Sequence, residues 1–187
     1  NDRNLTLLIA ILLVLVPVAL AAQPAQPATV AFIDGDVRIN GQPVDFGDTV
    51  AVGDRVQVGP RSFLELRFGS GNAIQFQENT IATVSIQGEF REVSVETGSF
   101  AATLGGLARR ASGDINFRVR TATTVGGVRG TSFFVRAVSS SETYFCLCNG
   151  EMDLMGPGGE LEETISAGYH AAFRFTRDSQ GRIQRTN

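Results

Sequence analysis

Apolar and polar residues alternate along most of the chain after residue 29, in short runs separated by turn-forming residues. Residues 64–68 alternate between apolar and charged side chains, and the Gly- and Asn-containing stretch 69–72 leads into a second run at 73–76. Further runs of this kind occupy residues 83–86, 92–95, 115–119 and 131–135. A period of two predicts half-buried strands, and the turn residues between neighbouring runs predict hairpins. The pattern therefore predicts an all-β fold with more than a third of the residues in strands.

Three Gly-Asp pairs begin this part of the chain. Each of Gly35-Asp36, Gly47-Asp48 and Gly53-Asp54 is followed by alternating β-branched residues. Glycine enters turn conformations that a Cβ disfavours, and Asp bonds to backbone groups close by. Such short steps fit two architectures, a compact β-solenoid or a twisted β-sandwich of many short strands. Residues 101–114 interrupt the alternation, and we expect a surface loop there.

The segment 121–135 contains three glycines within five residues, at positions 126, 127 and 130. This density indicates that the backbone turns tightly or comes very close to its surroundings, because a residue without a Cβ tolerates both at low cost. Strand-like alternation lies on either side. The sequence therefore predicts that one strand enters this segment, the chain bends at the glycines, and a second strand leaves.

The string Val128-Arg129-Gly130-Thr131, followed by Phe133 and Val135, resembles the signature of the FecR-like domain, an extracytoplasmic all-β module of bacterial envelope proteins. The Gly-Asp turns are also similar to the start of such a domain, and the likeness extends in pattern over residues 29–170. The resemblance implies a β domain at residues 29–187. It implies a structural motif formed by Gly126, Gly127, Val128, Arg129, Gly130, Thr131 and Phe133.

Family members that act as signal transducers in iron uptake carry a cytoplasmic, sigma-factor-regulating helical domain before their membrane span. In this sequence four residues precede Leu5. We therefore expect the β module without that cytoplasmic domain, although a siderophore-type signalling role stays open as an alternative.

Leu5 to Ala22 is an uncharged apolar run interrupted only by Thr6 and Pro17. A helix needs about 20 apolar residues to cross a bilayer, so the run fits a single N-terminal transmembrane helix. A cleaved secretory signal is the alternative, since small residues at 19–21 would suit a signal peptidase. Residues 23–28 then form a Pro-containing linker, which is stiff and extended. The expected location is the bacterial inner membrane with the β domain in the periplasm, or the free periplasm if the head is removed.

Charge limits the classes of partner. The chain has 16 basic residues, all of them Arg, against 19 acidic ones, for a net charge of -3. This balance argues against nucleic acid as a partner, since nucleic-acid-binding proteins concentrate basic charge. Arg is concentrated in residues 101–140 and acidic residues in 141–165. The two sets either pair across neighbouring strands or polarise the surface toward a partner.

The residues most able to bind a metal are Cys146, Cys148 and the single histidine, His170. In a regular strand the two thiols would share a face with Cβ atoms about 7 Å apart, too far for an unstrained disulfide. A strand containing His170 beside the Cys-x-Cys strand would bring an imidazole to the same face, where zinc or iron would still need a fourth ligand or an open position. Inert buried thiols, a redox or intermolecular disulfide, and a metal or haem site are the alternatives.

Catalytic motifs are missing from the sequence. It contains no nucleophile elbow, no His-Glu-x-x-His and no phosphate-binding loop with its Lys-Ser/Thr. We therefore expect a non-enzymatic protein without a required cofactor. The expected function is that of an interaction or scaffold module, an accessory subunit of a membrane or envelope complex such as a respiratory or photosynthetic one, with neighbouring membrane proteins as its partners.

Overall fold

The computed structural model describes residues 27–88, 90–105, 117–129, 132–156 and 161–186. These residues form seventeen strands. In chain order the strands are β1 (Ala28–Asp34), β2 (Val37–Ile39), β3 (Gln42–Pro43), β4 (Thr49–Val50), β5 (Asp54–Val58), β6 (Phe63–Phe68), β7 (Asn72–Phe76), β8 (Thr80–Gln87), β9 (Phe90–Leu104), β10 (Phe117–Arg120), β11 (Val125–Arg129), β12 (Ser132–Ser139), β13 (Glu142–Leu147), β14 (Gly150–Met155), β15 (Leu161–Ala167), β16 (Ala171–Arg177) and β17 (Ile183–Thr186). The all-β prediction is confirmed.

The strands form one open hydrogen-bonded network that has two parts, which we call the first and second layers. The first layer runs β4-β1-β6-β7-β9-β12-β13-β16-β17. The second layer runs β3-β2-β5-β8-β9-β10-β11-β14-β15. Hairpins such as β12-β13 and β14-β15 alternate between the layers along the chain.

The two layers face each other across one apolar core. The ring of Phe117 in the second layer lies 6.1 Å from that of Phe68 and 5.9 Å from that of Phe133, both in the first layer. Along most strands alternate residues are buried in this core, which is the arrangement expected of a β-sandwich. The structure does not support the β-solenoid, because stacked coils would pair strands in parallel, whereas every pairing in the described residues except β9-β10 is antiparallel.

Strand β9 belongs to both layers. Its residues up to Thr97 pair with β8 in the second layer, and residues 98–104 pair with β7 and β12 in the first. Gly98 lies where the strand changes layer, with a φ of +87°, and a Cβ on it would lie 2.4 Å from the Cα of Thr80. The Thr80 hydroxyl accepts from the amide of Ser99 and donates to its carbonyl, at 3.0 Å in each case. A residue without a side chain is therefore required at this crossing.

The predicted surface loop at residues 101–114 is wrong in its first part. Residues 101–104 are the last residues of β9, and Ala102 and Leu104 are buried in the core. The small and polar residues of this segment weaken the alternation of apolar and polar positions in the sequence. The strand is recognisable only from its pairing with β7 on one side and β12 on the other. The remainder of that segment lies largely outside the described residues.

The Gly-Asp turns form as predicted. Gly35, Gly47 and Gly53 all have positive φ. The second and third turns share one geometry: the Asp48 carboxylate accepts from the amide of Asp45 at 2.8 Å, and that of Asp54 accepts from the amide of Ala51 at 2.7 Å. Each Asp thus stabilises the turn that precedes it.

Within the described ranges, no helix has the length and apolar character needed to cross a membrane. The predicted transmembrane segment at residues 5–22 and the linker up to residue 26 lie outside those ranges. The membrane anchor therefore stays a prediction.

Candidate functional site

The two glycines of β11 lie inside a strand and not at a bend. Neither Gly126 nor Gly127 is among the described residues with positive φ, and both pair with β10 and β14. A Cβ on Gly126 would lie 3.2 Å from the Sδ of Met152 and 3.5 Å from a ring carbon of Phe145. The predicted bend at these glycines is therefore wrong, whereas the predicted close approach is correct. Gly126 leaves room for side chains of both layers.

The bend before β11 is made by threonines. The amide of Thr121 donates to the carbonyl of Thr124 at 2.9 Å, which closes the turn. The hydroxyl of Thr123 donates to Thr143 of the opposite layer at 2.8 Å, and the Thr143 hydroxyl donates to Thr121 at 3.0 Å. All three bonds are partly or fully buried, so they fix the turn against β13 in the other layer.

Arg129 ends β11 and makes the main polar contact of the signature string. Its guanidinium pairs with the carboxylate of Asp153 on the adjacent strand β14, and it lies 3.8 Å from that of Glu151. The Thr164 hydroxyl on β15 donates to the second oxygen of Asp153 at 2.8 Å. The Asp153 side chain is only 5% exposed. Three neighbouring strands are therefore joined through one buried carboxylate, and both of its oxygens have polar partners.

Sequence reasoning did not identify Asp153 and Thr164. A signal was present, since Asp153 is a single carboxylate within the apolar run of residues 152–155. Of the predicted pairing between the Arg residues of 101–140 and the acidic residues of 141–165, the structure shows Arg129 with Asp153 and Glu151. Glu142 and Glu163 pair instead with Arg174 and Arg185, which follow both segments. Of the predicted structural motif, Val128 and Phe133 are buried in the core. Gly130 and Thr131 lie outside the described residues.

The structure brings Cys146, Cys148 and His170 together. Strand β13, which contains Cys146, pairs in antiparallel register with β16, with Cys146 opposite Ala172. His170 lies immediately before β16 begins. The Sγ of Cys146 is 3.7 Å from the Nδ1 of His170, and one ligand atom from each of the three residues lies within 4.8 Å of the others. These side chains form what we call the Cys-His cluster.

One detail of this cluster differs from the sequence prediction. Strand β13 ends at Leu147, so Cys148 lies beyond the strand and is not one regular step along it. The chain there is held by a bond of 2.9 Å from the Cys148 amide to the carbonyl of Ser132. Tyr169, next to His170, precedes the start of β16 and is 89% exposed.

The two thiols lie at the boundary between the sheet and the solvent. Both cysteines are free and half-buried, whereas His170 is exposed. Burial raises the pKa of the Cys148 thiol above its ordinary value, and the neighbouring Cys146 raises it further by charge repulsion and by a hydrogen bond. Two thiolates therefore disfavour each other here unless a cation lies between them.

The outer face of the first layer beside the cluster is aromatic and cationic. The rings of Phe134 and Tyr144 lie 6.3 Å apart, edge to face. The guanidinium of Arg136 lies 5.6 Å from the centre of the Phe134 ring, and that of Arg174 lies 5.9 Å from the centre of the Tyr144 ring. Such stacking keeps the long Arg side chains against the sheet.

A model of the FecR protein family matches residues 54–151. The chain belongs to the FecR protein family. The matched region begins with β5 and ends in β14, so it includes Arg129 and both cysteines of this FecR protein, whereas Asp153 and His170 follow it.

Two crystal structures of a candidate anti-sigma factor from Parabacteroides distasonis ATCC 8503, at 1.65 and 2.50 Å resolution, are similar in fold to this FecR protein. Each aligns with a TM-score of 0.52 and 17% identity over 71% of this chain. The aligned part spans 59% of the length of that protein's chain. A search of curated proteins found no match.

Proposed function

We propose that this chain is a non-catalytic binding module that takes part in signal transduction across the bacterial envelope and works by contact with other proteins. Its membership of the FecR family over residues 54–151 carries the proposal. The shared fold with a candidate anti-sigma factor supports the same class of function. The two-layered β fold also suits binding, because its hairpins and edges present backbone groups and side chains on a rigid core.

The contact surface in this proposal is the open edge at the C-terminal end of the network. Within the described residues, β17 is hydrogen-bonded to β16 alone, and β15 to β14 alone. An edge strand offers unpaired amides and carbonyls to which an extended peptide can add as a further strand. Arg185 of β17 spans the two layers at this edge, 3.2 Å from the carboxylate of Glu163 and 5.2 Å from the centre of the Phe173 ring. A partner strand along β17 would lie beside this Arg185–Glu163 pair.

The proposal includes a membrane tether. A retained helix at residues 5–22 would hold the β domain on the periplasmic face of the inner membrane. The predicted linker is one residue too long, since Ala28 is buried in β1, and the five residues 23–27 would limit the reach of the domain to about 17 Å. A domain confined in this way meets neighbouring membrane proteins at high effective concentration.

The signalling role is tested by deleting the gene and comparing transcripts in cells that carry the wild-type chain, an Arg129→Met variant or a Glu151→Gln control. We expect a defined set of promoters to lose its response in the deletion strain and in Arg129→Met, but not in Glu151→Gln. An unchanged promoter response together with the loss of a membrane complex would replace signalling by the accessory-subunit function.

The contact surface is tested separately with a photo-crosslinking residue placed in the full chain in native membranes. Gln184 on β17 is the test position, and Ser70, in the turn between β6 and β7, is the control. A crosslinked product of one defined mass at Gln184 and none at Ser70 is the expected result. Equal or absent crosslinking at the two positions would show that the β17 edge is not the binding surface.

A further inference from the structure

The proposed signalling function gives no role to the two thiols and the imidazole of the Cys-His cluster. Two thiols and one imidazole converge from β13, the residues just after it, and the start of β16. Antiparallel pairing of β13 with β16 fixes this proximity, since Leu147 lies opposite Ala171 and the two chain segments leave the sheet side by side. The cluster is thus positioned by the same ladder that builds the core.

We propose that Cys146, Cys148 and His170 bind one soft or borderline d¹⁰ metal ion, Zn²⁺ or Cu⁺, through two sulfur atoms and one nitrogen atom. Thiolate and imidazole are the ligands that these ions prefer, whereas Mg²⁺ and Ca²⁺ require oxygen ligands.

The distances suit such an ion. Zn–S bonds of about 2.3 Å and Zn–N bonds of about 2.0–2.1 Å at a tetrahedral angle place sulfur and nitrogen about 3.6 Å apart. The Sγ of Cys146 and the Nδ1 of His170 are already separated by 3.7 Å. All three ligand atoms lie within 4.8 Å of one another, so binding requires only small side-chain rotations. No backbone rearrangement is needed.

The chemistry of the ligands also favours a metal ion at this position. A metal ion binds cysteine as the thiolate and neutralises its charge. An inert structural pair would gain nothing from the adjacent imidazole, which lies on the solvent side and contributes little to the core.

The cluster leaves one coordination position open. His170 and its neighbour Tyr169 are exposed, so solvent reaches the ion from that side. Three protein ligands and an open position are typical of sites that accept water or an external ligand, whereas structural zinc sites are closed by four protein ligands. The site is therefore suited to exchange its ion or to accept a fourth ligand from outside the chain.

The experiment uses the full chain, purified under reducing conditions and freed of metal. Zn²⁺ and Cu⁺ are titrated against chromophoric chelators, and Co²⁺ serves as a spectroscopic probe of sulfur ligation. We expect one ion per chain, with thiolate-to-Co²⁺ charge-transfer bands and the visible bands of a four-coordinate ion. The double variant Cys146→Ala/Cys148→Ala should lose binding.

His170→Gln should weaken binding by more than about 10-fold, since the loss of even an outer hydrogen-bond partner of a metal ligand costs about 10- to 100-fold. Tyr169→Phe, which alters the adjacent exposed residue, should bind as the wild type does. Circular dichroism and thermal melting check that each variant is folded. Because His170 is exposed, its substitution keeps the test decisive even if the cysteine variants do not fold.

Three results would overturn the proposal. The first is the failure of both Zn²⁺ and Cu⁺ to bind at one ion per chain. The second is equal binding by the wild type and a folded double cysteine variant. The third is a His170→Gln variant that binds as tightly as the wild type, which would remove the imidazole from the site.

Discussion

The guanidinium of Arg129 lies against the carboxylate of Asp153 on the neighbouring strand, and this buried pair gives the Val-Arg-Gly-Thr string its structural role. Asp153 is 5% exposed and Arg129 is 34% exposed. Removing Arg129 costs more than the pair contributes, because the Asp153 charge is then left buried with the Thr164 hydroxyl as its remaining partner.

We expect Arg129→Met to lower the free energy of unfolding by about 3 kcal/mol. Replacing both residues, as Arg129→Met/Asp153→Leu, should restore much of that loss, since no buried charge then remains. Glu151→Gln is the control, because Glu151 is half exposed and lies 3.8 Å from the guanidinium, and it should change stability by less than about 1 kcal/mol. Urea unfolding of the four proteins measures the difference. An Arg129→Met variant as stable as Glu151→Gln would show that the pair has no such role.

The layer crossing at Gly98 gives a second prediction. Gly41 and Gly98 both have positive φ, at +79° and +87°, but a Cβ on Gly41 would meet nothing within 4 Å. Gly41→Ala should therefore cost only the backbone strain, about 1–2 kcal/mol. Gly98→Ala should cost at least about 2 kcal/mol more, because its Cβ would collide with the backbone of Thr80. Thermal melting of the two variants measures the gap, and equal melting temperatures would contradict the crossing as described.

Gly126 gives a third prediction. Gly126→Val should destabilise the protein by about 1–3 kcal/mol through overpacking against Met152 and Phe145. Met152→Ala should cost less in the Gly126→Val background than in the wild type, because it removes the nearest atom. Gly168→Ala is the control for a glycine without neighbours, since a Cβ there would have nothing within 4 Å. Additive losses in the double variant would point to backbone strain instead of crowding.

Stability should depend on pH through Glu65, whose side chain is 13% exposed. A hydrogen bond from Gln75, at 3.0 Å, and contact with Arg67 lower the pKa of this carboxyl below its ordinary value of 4.5, against the opposing effect of burial. A lowered pKa means that the unfolded chain takes up the proton first, so the stabilisation is present above pH 4.5 and is lost as the pH falls through the folded-state value.

We expect the stability difference between the wild type and Glu65→Gln to shrink as the pH is lowered from neutral into this acidic range. Gln75→Leu should reduce the dependence on pH, because it removes the largest cause of the lowered pKa. Denaturant unfolding across the pH range measures both effects. A wild-type advantage that grows in acid would contradict the assignment.

Much of the fold was predictable because alternation and turn chemistry are local. The hairpin of β6 and β7 and the Gly-Asp turns follow from neighbouring residues alone. The contacts of Arg129 were not predictable in this way, since Asp153 is far along the chain and its importance depends on β11 and β14 being adjacent. The same limit applies to the bend at residues 121–124. Its threonines bond to the opposite layer, whereas the nearby glycines indicated the wrong position.

The candidate site was predictable in its residues but not in its geometry. Cys146, Cys148 and His170 stand out by rarity, because the chain has two cysteines and one histidine. Their separation depends on where β13 ends and β16 begins, and element ends are the least reliable part of a sequence-based prediction. Strand β13 ends at Leu147, so Cys148 lies outside the regular strand geometry from which the thiol separation was predicted.

Strand β9 has hydrogen-bonded neighbours on both sides in both layers, with β8 and β10 along its first part and β7 and β12 along its second. This strand joins the strands that precede it to those that follow it, so that the domain forms one cooperative unit. The strands before β9 and the strands after it both need β9 as a hydrogen-bonded neighbour to complete the two layers. Fragments of the chain that lack β9 would therefore be missing a strand in each layer, and a cut within β9 would unfold both halves. Its amides should be the last to exchange with solvent deuterium, since they open only when the whole domain unfolds.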